Sequence, residues 1–352
     1  MNKIKIGVVG AGAVGGVISA LLSQRGYDVE VAKRYNSDLV FDDYAAIEVI
    51  GEFGHKNILV KTVNGVNNFT SKKDIIFVLT KAYDAPKVAK QCMSHLTENG
   101  VIISSQNVMN IEEMLKVVGS NKLLGLIINW SATRITKAKM EITKPGHMVI
   151  GSFGEASPAF LEVIQRILSN VAPTEISYNI VGDVWSRTII NSCISSVGAL
   201  TGLNLGKSML MPTCNRIFTN IIFEAMNMAK KLNVKVKNYG ALDYYEFTQK
   251  GFKAYFYRLK MLNRLRRQNG KFVSSCMRCI ENNVASEIDY LNGYFVKLGQ
   301  AQNMPMATNR RMYDMIKEII SGERHMMLEN LLDYYLLHPK KYLKLIKSKK
   351  EV

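Results

Sequence analysis

Several features are scarce in this chain of 352 residues, and each scarcity limits what the protein can be. The sequence has no run of eighteen apolar residues, so it predicts no transmembrane helix. Its first residues enter a strand without an apolar signal segment, and its five cysteines are scattered along the chain. We therefore expect reduced thiols and a cytoplasmic location. The five histidines form no pair at ligand spacing, so we predict no metal site.

Two of the cysteines, Cys276 and Cys279, have the spacing of a redox or metal motif. The sequence offers neither a second such pair nor a nearby histidine. We interpret the two residues as buried thiols of a helix, without a function of their own.

Acidic residues are also few, 29 against 46 lysines and arginines, which gives a formal net charge of +17. The imbalance is greatest at residues 248–280, which contain no acid, and in the basic stretch 340–350. Aromatic side chains interleave with the cations of the first segment, a pattern also found in surfaces that bind nucleic acid or anionic membranes. Solvated helix faces show the same pattern. We favour a solvated or subunit-facing surface and expect neither a nucleic-acid nor a membrane partner.

The most informative motif that is present lies at the start of the chain. Residues 3–9 predict a short buried strand, and residues 16–25 predict a helix of small residues. The glycine fingerprint of a dinucleotide site lies between them, as Gly10-Ala11-Gly12-Ala13-Val14-Gly15. The first glycine permits the tight turn, the second lets the backbone approach a pyrophosphate, and the third lets the helix lie close to the strand. The alternative is a glycine-rich turn that binds nothing.

The next predicted strand, residues 27–32, distinguishes between two cofactors. An NAD site usually places an acid at the end of this strand to bind the ribose diol. Here the strand runs into Lys33 and Arg34, and Glu30 lies earlier, in mid-strand. Two cations at this position favour the 2′-phosphate of NADP(H), since arginine pairs with phosphate through two hydrogen bonds. A pair of solvated surface cations is the alternative.

Hydrophobic periodicity predicts two domains. Residues 1–179 predict an α/β domain of the Rossmann type, with a doubly wound parallel sheet, and residues 180–335 predict an all-α domain followed by a basic tail at 336–352. In the first domain we expect a polar stretch at 35–72 and a hairpin at 139–151. In the second we expect long helical segments at 181–199, 211–232, 275–299 and 308–321.

One predicted helix of the second domain carries a polar stripe. Arg187, Asn191 and Ser195 recur at intervals of four residues in an otherwise apolar segment, so they share one helix face. A cation and two hydrogen-bonding groups inside an apolar helix are costly unless they are paired. The stripe is therefore either part of a site for a small anionic substrate or a polar network between helices.

With these motifs in this order, the chain resembles the ketopantoate reductase (2-dehydropantoate 2-reductase) family over roughly residues 1–322. The most specific match is the pair of segments Ser274-Ser275 and Glu287–Gly293. Further matches are the glycine fingerprint, Arg34, Thr80-Lys81-Ala82, Gln106-Asn107, residues 146–151, Asn191, residues 199–202, Pro305 and Asn309.

The resemblance implies roles for individual residues. Arg34 corresponds to the family's 2′-phosphate arginine, which implies NADP as the cofactor. Lys81 and Asn107 are implied to border the nicotinamide and the substrate. Glu287 corresponds to an essential glutamate, and Ser275 to a serine that contacts substrate. Asn191 lies on the family's catalytic helix.

The chain also departs from the family pattern. The family's catalytic lysine falls on Arg187, its second helix asparagine falls on Ser195, and the glycine of its Asn-Gly loop is replaced by Val108. An insertion near 236–272 lengthens the second domain. Arginine does not readily give up a proton, since its pKa stays above about 12, but it can stabilise a developing alkoxide. The substrate is therefore open.

These observations predict an NADPH-dependent reductase of a small anionic 2-oxo acid, foremost 2-dehydropantoate in pantothenate biosynthesis. Arg187 and Glu287 would be catalytic, whereas Asn107, Asn191, Ser195 and Ser275 would bind substrate. One alternative is a paralogue that acts on a different 2-oxo or 2-hydroxy acid. Another is a catalytically weak NADP(H)-binding regulator with a basic partner-binding surface. The sequence leaves a homodimer open.

Overall fold

The computed structural model describes residues 3–33, 43–52, 54–106 and 108–335. The chain divides into two compact units, Met1–Val184 and Trp185–Val352. Arg34, Asn107 and the basic tail at 336–352 lie outside the described residues.

The first unit is built on an eleven-stranded, mostly parallel sheet in the order β11-β10-β7-β6-β5-β1-β2-β4-β3-β9-β8. β1 lies between β2 and β5, and both neighbours are parallel to it. The strands are β1 Lys5–Val9, β2 Asp28–Lys33, β3 Tyr44–Gly51, β4 Lys56–Asn64, β5 Lys73–Val78, β6 Leu96–Ser104, β7 Leu123–Ile128, β8 Ser131–Arg134, β9 Lys139–Lys144, β10 Met148–Ser152 and β11 Thr174–Ile176.

Helices cover both faces of this sheet, because its central strands are apolar on both sides. α1 (Ala13–Gln24) and α4 (Pro158–Leu168) pack into one core, which includes Ile6 and Val8 of β1. α2 (Ala85–Cys92) and α3 (Ile111–Val118) pack into the other, which includes Val9. The predicted doubly wound α/β fold is confirmed.

The polar stretch expected at 35–72 contains two strands that the sequence analysis missed, β3 and β4. They pair antiparallel, and their buried residues alternate with exposed ones. The signal was present in the alternation of Ala45, Ile47 and Val49. It was weak because polar residues occupy the opposite face of each strand.

The hairpin predicted at 139–151 is wrong. β9 pairs with β8 and β3, whereas β10 pairs with β7 and β11. Pro145 lacks the N–H group that a ladder requires, and a Cβ at Gly146 would lie 2.3 Å from the carbonyl oxygen of Asn129. The chain therefore leaves β9 there and continues beside β7. Lys144 ends β9 and Met148 begins β10, and the four peptide links between them span at most about 14 Å. Because β9 and β10 are far apart in the strand order, the sheet must curl to bring them this close.

The second unit is helical, as predicted. α5 (Ile180–Thr201) enters it from the first unit, and α7 (Pro212–Lys231) and α11 (Ala307–Ser321) are its other long helices from the predicted set. The remaining helices are α6 Leu205–Ser208, α8 Phe252–Asn269, α9 Ser275–Glu281, α10 Asn292–Ala301 and α12 Asn330–Tyr335. None of the helices in the described ranges is long and apolar enough to cross a membrane.

The predicted continuous helix at 275–299 is wrong. It is divided into α9 and α10 by a loop and a 3-10 turn at Ile288–Tyr290. Asn283 adopts a left-handed conformation, with φ of 52°, two residues after α9 ends. Asparagine tolerates this conformation better than most residues, so it terminates a helix readily.

The insertion near 236–272 forms a turn followed by α8. The buried side of α8 is lined by Ala254, Met261, Leu262 and Leu265. Its first turns expose aromatic side chains, with Phe252 77% exposed and Phe256 52% exposed. The interpretation of this basic segment as a solvated or subunit-facing surface remains a prediction.

Candidate active site

The glycine turn lies where the chain changes direction across the sheet. From β1 the chain continues to β2 on one side, and it later returns to β5 on the other side of β1. Ligands of open α/β sheets bind at this kind of switch point, beyond the carboxyl ends of the strands. The turn formed by Gly10 to Gly15 follows the carboxyl end of β1 directly.

The backbone needs glycine at two of these positions. Gly10 has a φ of 104°, and a Cβ there would lie 2.6 Å from the carbonyl carbon of Leu79, just after β5. A Cβ at Gly15 would lie 2.1 Å from the carbonyl oxygen of Gly10. The turn is thus packed against β5 and against the start of α1.

Gly12 differs from the other two, because nothing lies within 4 Å of a Cβ built on it. It is the N-cap of α1, no side chain caps that helix, and its first turn carries no acidic residue. A helix N-terminus of this kind favours an anion. The open space at Gly12 and the uncapped helix fit the pyrophosphate of a dinucleotide, with Ala11, Ala13 and Val14 completing the turn.

The loops after β5 and β6 are linked to one another beside this turn. Gln106 Nε2 donates a hydrogen bond of 2.9 Å to the carbonyl oxygen of Thr80, and Asn110 Nδ2 donates one of 3.0 Å to that of Ala82. Within the described residues, Thr80 Oγ1 and Asn110 Oδ1 are buried and make no hydrogen bond. Orphaned polar atoms are uncommon in proteins and call for a partner. Lys81 is exposed in the same loop.

Glu30 is fully occupied in a buried ion-pair network. It is 1% exposed, and its carboxylate lies 2.8 Å from the ammonium of Lys73, itself 0% exposed, and 2.8 Å from that of Lys61. The backbone N–H of Thr70 donates a third hydrogen bond. Burial alone raises the pKa of Glu30, but the hydrogen bonds from Lys61, Lys73 and Thr70 outweigh it and lower the pKa to about 2. This carboxylate already has its partners and is not presented to a ribose.

In the second unit, the candidate site is centred on α5. Arg187 and Asn191 are half-buried on the same face of this largely buried helix. Ser195, the third member of the predicted stripe, is 2% exposed and belongs to the interior. Arg187 and Asn191 are therefore partly accessible on this face of α5, whereas Ser195 is not.

Two other predicted segments pack beside α5. Ser274 caps α9 by accepting a hydrogen bond from the N–H of Met277, and its Oγ would lie 2.6 Å from a Cβ at Gly198 of α5. Ser275, the predicted substrate ligand, is the next residue and is exposed. Cys276 Sγ lies 3.1 Å from Ser286 Oγ, which links α9 to the loop that carries Glu287.

The loop that carries Glu287 is also attached to α5 on its C-terminal side, through α10. Asn292 Oδ1 accepts a hydrogen bond of 3.0 Å from Ser196 Oγ, and its Nδ2 donates to Asn309 Oδ1, also at 3.0 Å. The indole of Trp185 contacts the ring of Phe295 edge to face, with centroids 5.7 Å apart. Glu287 itself is half-buried, directly before the 3-10 turn.

Two residues of the insertion also contact α5, and the sequence analysis missed both. The ring centroid of Tyr239 lies 5.1 Å from the guanidinium carbon of Arg187. The hydroxyl of Tyr244, which is 0% exposed, donates a hydrogen bond of 2.8 Å to the carbonyl oxygen of Ser186. Burial raises the pKa of Tyr244 well above its ordinary value. The sequence shows several tyrosines in this segment, but it does not predict which residues they contact.

The cysteines and histidines form no further site in the parts of the chain that are described. None of the five cysteines, all of which lie in the described ranges, forms a disulfide. Burial raises the pKa of Cys276 to about 11, so its thiol is protonated near neutral pH. No group of three or more potential metal-ligating side chains is found among the described residues.

Family profiles cover most of the chain. The profile of ketopantoate reductase PanE/ApbA matches residues 6–155, and that of its C-terminal domain matches residues 179–320. This chain belongs to the ketopantoate reductase PanE/ApbA family. It is therefore an oxidoreductase of that type, and the family indicates a nicotinamide cofactor.

Individual relatives are distant in sequence and similar in length. The 2-dehydropantoate 2-reductase of Pyrococcus abyssi is 24% identical over 329 residues, which cover 91% of this chain and all of the relative. That of Aquifex aeolicus is 25% identical over 318 residues, covering 89% of this chain and 96% of the relative.

Solved structures show the same fold. A PanE/ApbA family ketopantoate reductase from Ralstonia eutropha superposes with a TM-score of 0.76 at 19% identity, covering 92% of this chain and all of the other. A ternary structure of D-mandelate dehydrogenase with NADH and anilino(oxo)acetate also gives 0.76, at 15% identity, covering 91% and 99%.

Proposed function

We propose that this protein uses NADP(H) to reduce a small 2-oxo acid to the 2-hydroxy acid, with 2-dehydropantoate as the foremost substrate. The observation that carries the proposal is the position of Arg187. It is a cation on the partly open face of a largely buried helix, one turn from the amide of Asn191. A small carboxylate with an adjacent carbonyl fits a positive charge next to a hydrogen-bonding group.

The choice of NADP(H) over NAD(H) rests on the second strand. The carboxylate of Glu30 is saturated by two lysines, so β2 lacks an acid that could bind the ribose diol near its carboxyl end. Lys33 is instead the last residue of β2 and Arg34 follows it, and cations at this point favour a 2′-phosphate. Because two solved structures of D-mandelate dehydrogenase, which has this fold, contain NADH, the experiment compares both cofactors.

In the proposed mechanism, the turn from Gly10 to Gly15 would hold the dinucleotide, whose nicotinamide would supply the hydride for the reduction. Arg187 stabilises the negative charge that develops on the carbonyl oxygen. A guanidinium does not readily give up a proton, so the alkoxide takes its proton from water or from a second group. Glu287 orients Arg187 or a substrate hydroxyl. Asn191 and Ser275 hydrogen-bond the substrate.

Three further residues have smaller roles in the proposal. Lys81 and Asn107 border the nicotinamide and the substrate, as the family pattern implies. Ser195 is buried, so it is less accessible to a substrate than the half-buried Arg187 and Asn191. We therefore assign the first contacts with the substrate to Arg187 and Asn191.

A second candidate is a different 2-oxo or 2-hydroxy acid. It is favoured by Arg187, which stands where the family pattern has a lysine, and by the likeness to D-mandelate dehydrogenase in fold. A bulkier guanidinium changes the shape and the hydrogen-bonding pattern that a substrate meets.

A steady-state assay tests the proposal. The purified protein would be given NADPH or NADH with 2-dehydropantoate, pyruvate or a phenyl-substituted 2-oxo acid, and the oxidation of the cofactor would be followed. We expect turnover with NADPH and fastest with 2-dehydropantoate. Faster turnover of another acid would select the second candidate. Tight binding of NADPH without turnover of any acid would contradict the enzyme and support a regulator.

A further inference from the structure

The insertion near 236–272 brings an aromatic ring to the residue that we assign to transition-state stabilisation. Tyr239 lies in the turn that opens this insertion, and its ring centroid is 5.1 Å from the guanidinium carbon of Arg187. Tyr239 is about fifty residues from Arg187 in sequence, so their contact is a product of the fold. The family pattern explains neither the insertion nor the arginine.

The turn that carries Tyr239 is fixed internally. The backbone N–H of Tyr239 donates to the carbonyl oxygen of Leu242 at 3.2 Å, and the N–H of Leu242 donates back at 2.9 Å. Gly240 allows this tight reversal with a φ of 56°. The hydroxyl of Tyr245 donates to the carbonyl oxygen of Val236 at 3.0 Å and closes the base of the turn.

The turn is also fixed to α5, next to the arginine. Leu242 and Tyr244 are buried, and the Tyr244 hydroxyl donates to the carbonyl oxygen of Ser186, the residue before Arg187. The position of the Tyr239 ring is therefore set relative to the backbone that carries Arg187. A flexible contact between two surface side chains would lack this support.

The chemistry of the pair favours arginine over lysine. A guanidinium is planar and weakly hydrated, so it stacks on an aromatic face, whereas an ammonium is a compact and strongly hydrated point charge. A ring beside the guanidinium also limits the rotamers that this long side chain can adopt. Transition-state stabilisation depends on a charge held in place before the reaction.

We propose that Tyr239 is a positioning residue that holds the guanidinium of Arg187 in its working orientation, and that the insertion supplies this support for arginine in place of lysine. The inference rests on the proposed role of Arg187 in the reduction. Tyr239 acts through Arg187 and takes no part in proton or hydride transfer. In this role the aromatic ring makes the contact with the guanidinium, and the phenol hydroxyl is not required.

Three variants test the inference by kinetics. Tyr239→Leu removes the ring, Tyr239→Phe keeps it, and Tyr257→Leu makes the same change at a half-exposed tyrosine on α8. We expect Tyr239→Leu to lower kcat by about fivefold with a smaller change in KM, because the contact orients a charge at the reacting oxygen. Tyr239→Phe and Tyr257→Leu should keep the native kcat. Equal kcat for Tyr239→Leu and Tyr239→Phe would overturn the inference.

A double-mutant cycle separates this inference from the proposed function. In an Arg187→Lys background, Tyr239→Leu should cost less than in the native protein, because the lysine gains little from the ring. If Arg187→Ala leaves turnover unchanged, the role of Arg187 fails. If Arg187→Ala abolishes turnover while Tyr239→Leu has no effect, only the positioning role fails.

A readout without turnover covers the case in which no substrate is found. In protein labelled with ¹⁵N-arginine, the Nε–H resonance of Arg187 is assigned by its loss in Arg187→Lys. We expect this resonance to move in Tyr239→Leu, as the ring current and the fixed orientation are lost, and to stay in place in Tyr239→Phe and Tyr257→Leu. An unmoved resonance in Tyr239→Leu would overturn the inference.

Discussion

The two units of this protein carry candidate functional residues of different kinds. In the first unit the candidate site is made of backbone, since close packing requires glycine at Gly10 and Gly15, and the space beside Gly12 is open. In the second unit the site is made of side chains, from α5, α9, the loop of Glu287 and the inserted turn. A backbone site depends on local sequence, and a side-chain site depends on segments that meet only after folding.

This difference has a physical consequence. A tight turn with positive φ restricts the residue type at each position, so its sequence pattern is narrow. A half-buried arginine can lie among many different residue types provided that its charge is compensated, so no narrow sequence pattern marks it. The cofactor class was therefore easier to infer than the substrate.

The largest expected effect is on the stability of the first unit. Glu30→Gln would leave the buried ammonium of Lys73 without an anion, which typically costs about 3–5 kcal/mol. The matched control is Glu48→Gln, because Glu48 pairs with Lys139 at a site where both side chains are about one-third exposed. A pair of that kind contributes about 0–1 kcal/mol. Thermal unfolding at neutral pH measures both, and equal melting temperatures for the two variants would contradict the assigned network.

The same variant has a predicted pH dependence. Glu30 has a pKa of about 2 in the folded protein, below its ordinary 4.5, so the carboxylate contributes its full stability above about pH 4.5. That contribution is lost as the pH falls towards 2. The difference in melting temperature between the native protein and Glu30→Gln should therefore shrink over this range. A constant difference would show that the Glu30 charge is not its source.

The next effect compares two glycines of one turn. Gly10→Ala places a Cβ against the backbone of Leu79 and strains a residue with positive φ, which we expect to destabilise the fold by about 2–4 kcal/mol. Gly12→Ala meets open space, so the melting temperature without cofactor should stay near the native value. Its affinity for NADPH should fall, because the added methyl group occupies the place proposed for the pyrophosphate. Native NADPH affinity in Gly12→Ala would contradict that placement.

The cofactor preference gives a similar effect on binding. Arg34→Ala should weaken NADPH by about 1.5–3 kcal/mol if a charge-assisted contact with the 2′-phosphate is lost. NADH lacks this phosphate, so its affinity should change little. Titration of both cofactors by protein fluorescence measures the two losses. Equal losses would contradict the assignment of Arg34.

The smallest expected effect concerns the basic insertion. If the cations of residues 248–280 form a solvated or subunit-facing surface, a gel-shift assay near physiological salt should show no tight complex with nucleic acid. The exposed rings of Phe252 and Phe256 make this test worthwhile. A complex that weakens steeply as salt is added would instead support electrostatic binding at this surface.

Much of the first unit could be predicted from the sequence, and the reasons are local. The glycine turn, α1 and the buried strand β7 follow from residue type and apolar runs. The errors arose where tertiary pairing decides. Residues 139–151 have strand character, but only the packed sheet determines that β9 pairs with β3 and β10 with β7.

The candidate site of the second unit was predictable only in part. Arg187 and Asn191 were found because helical spacing places them on one face. Ser195 has the same spacing, yet it is buried, because the packing of neighbouring helices decides exposure. Tyr239 and Tyr244 were missed since contacts over about fifty residues leave no local signal. The Lys61–Glu30–Lys73 network was missed for the same reason.

Substitution of Arg187 is the decisive test of whether its guanidinium stabilises the alkoxide in the proposed reduction of a 2-oxo acid. With NADPH and the best acid of the panel, Arg187→Ala should lower kcat by about a hundredfold or more, with NADPH affinity nearly unchanged. Arg187→Lys should retain much of the activity, because it keeps the charge and can donate a proton. The control is Arg310→Ala, at a surface ion pair of 3.9 Å in the same unit. If Arg187→Ala reduces the acid at the native rate, Arg187 is a structural cation without a role in the reaction.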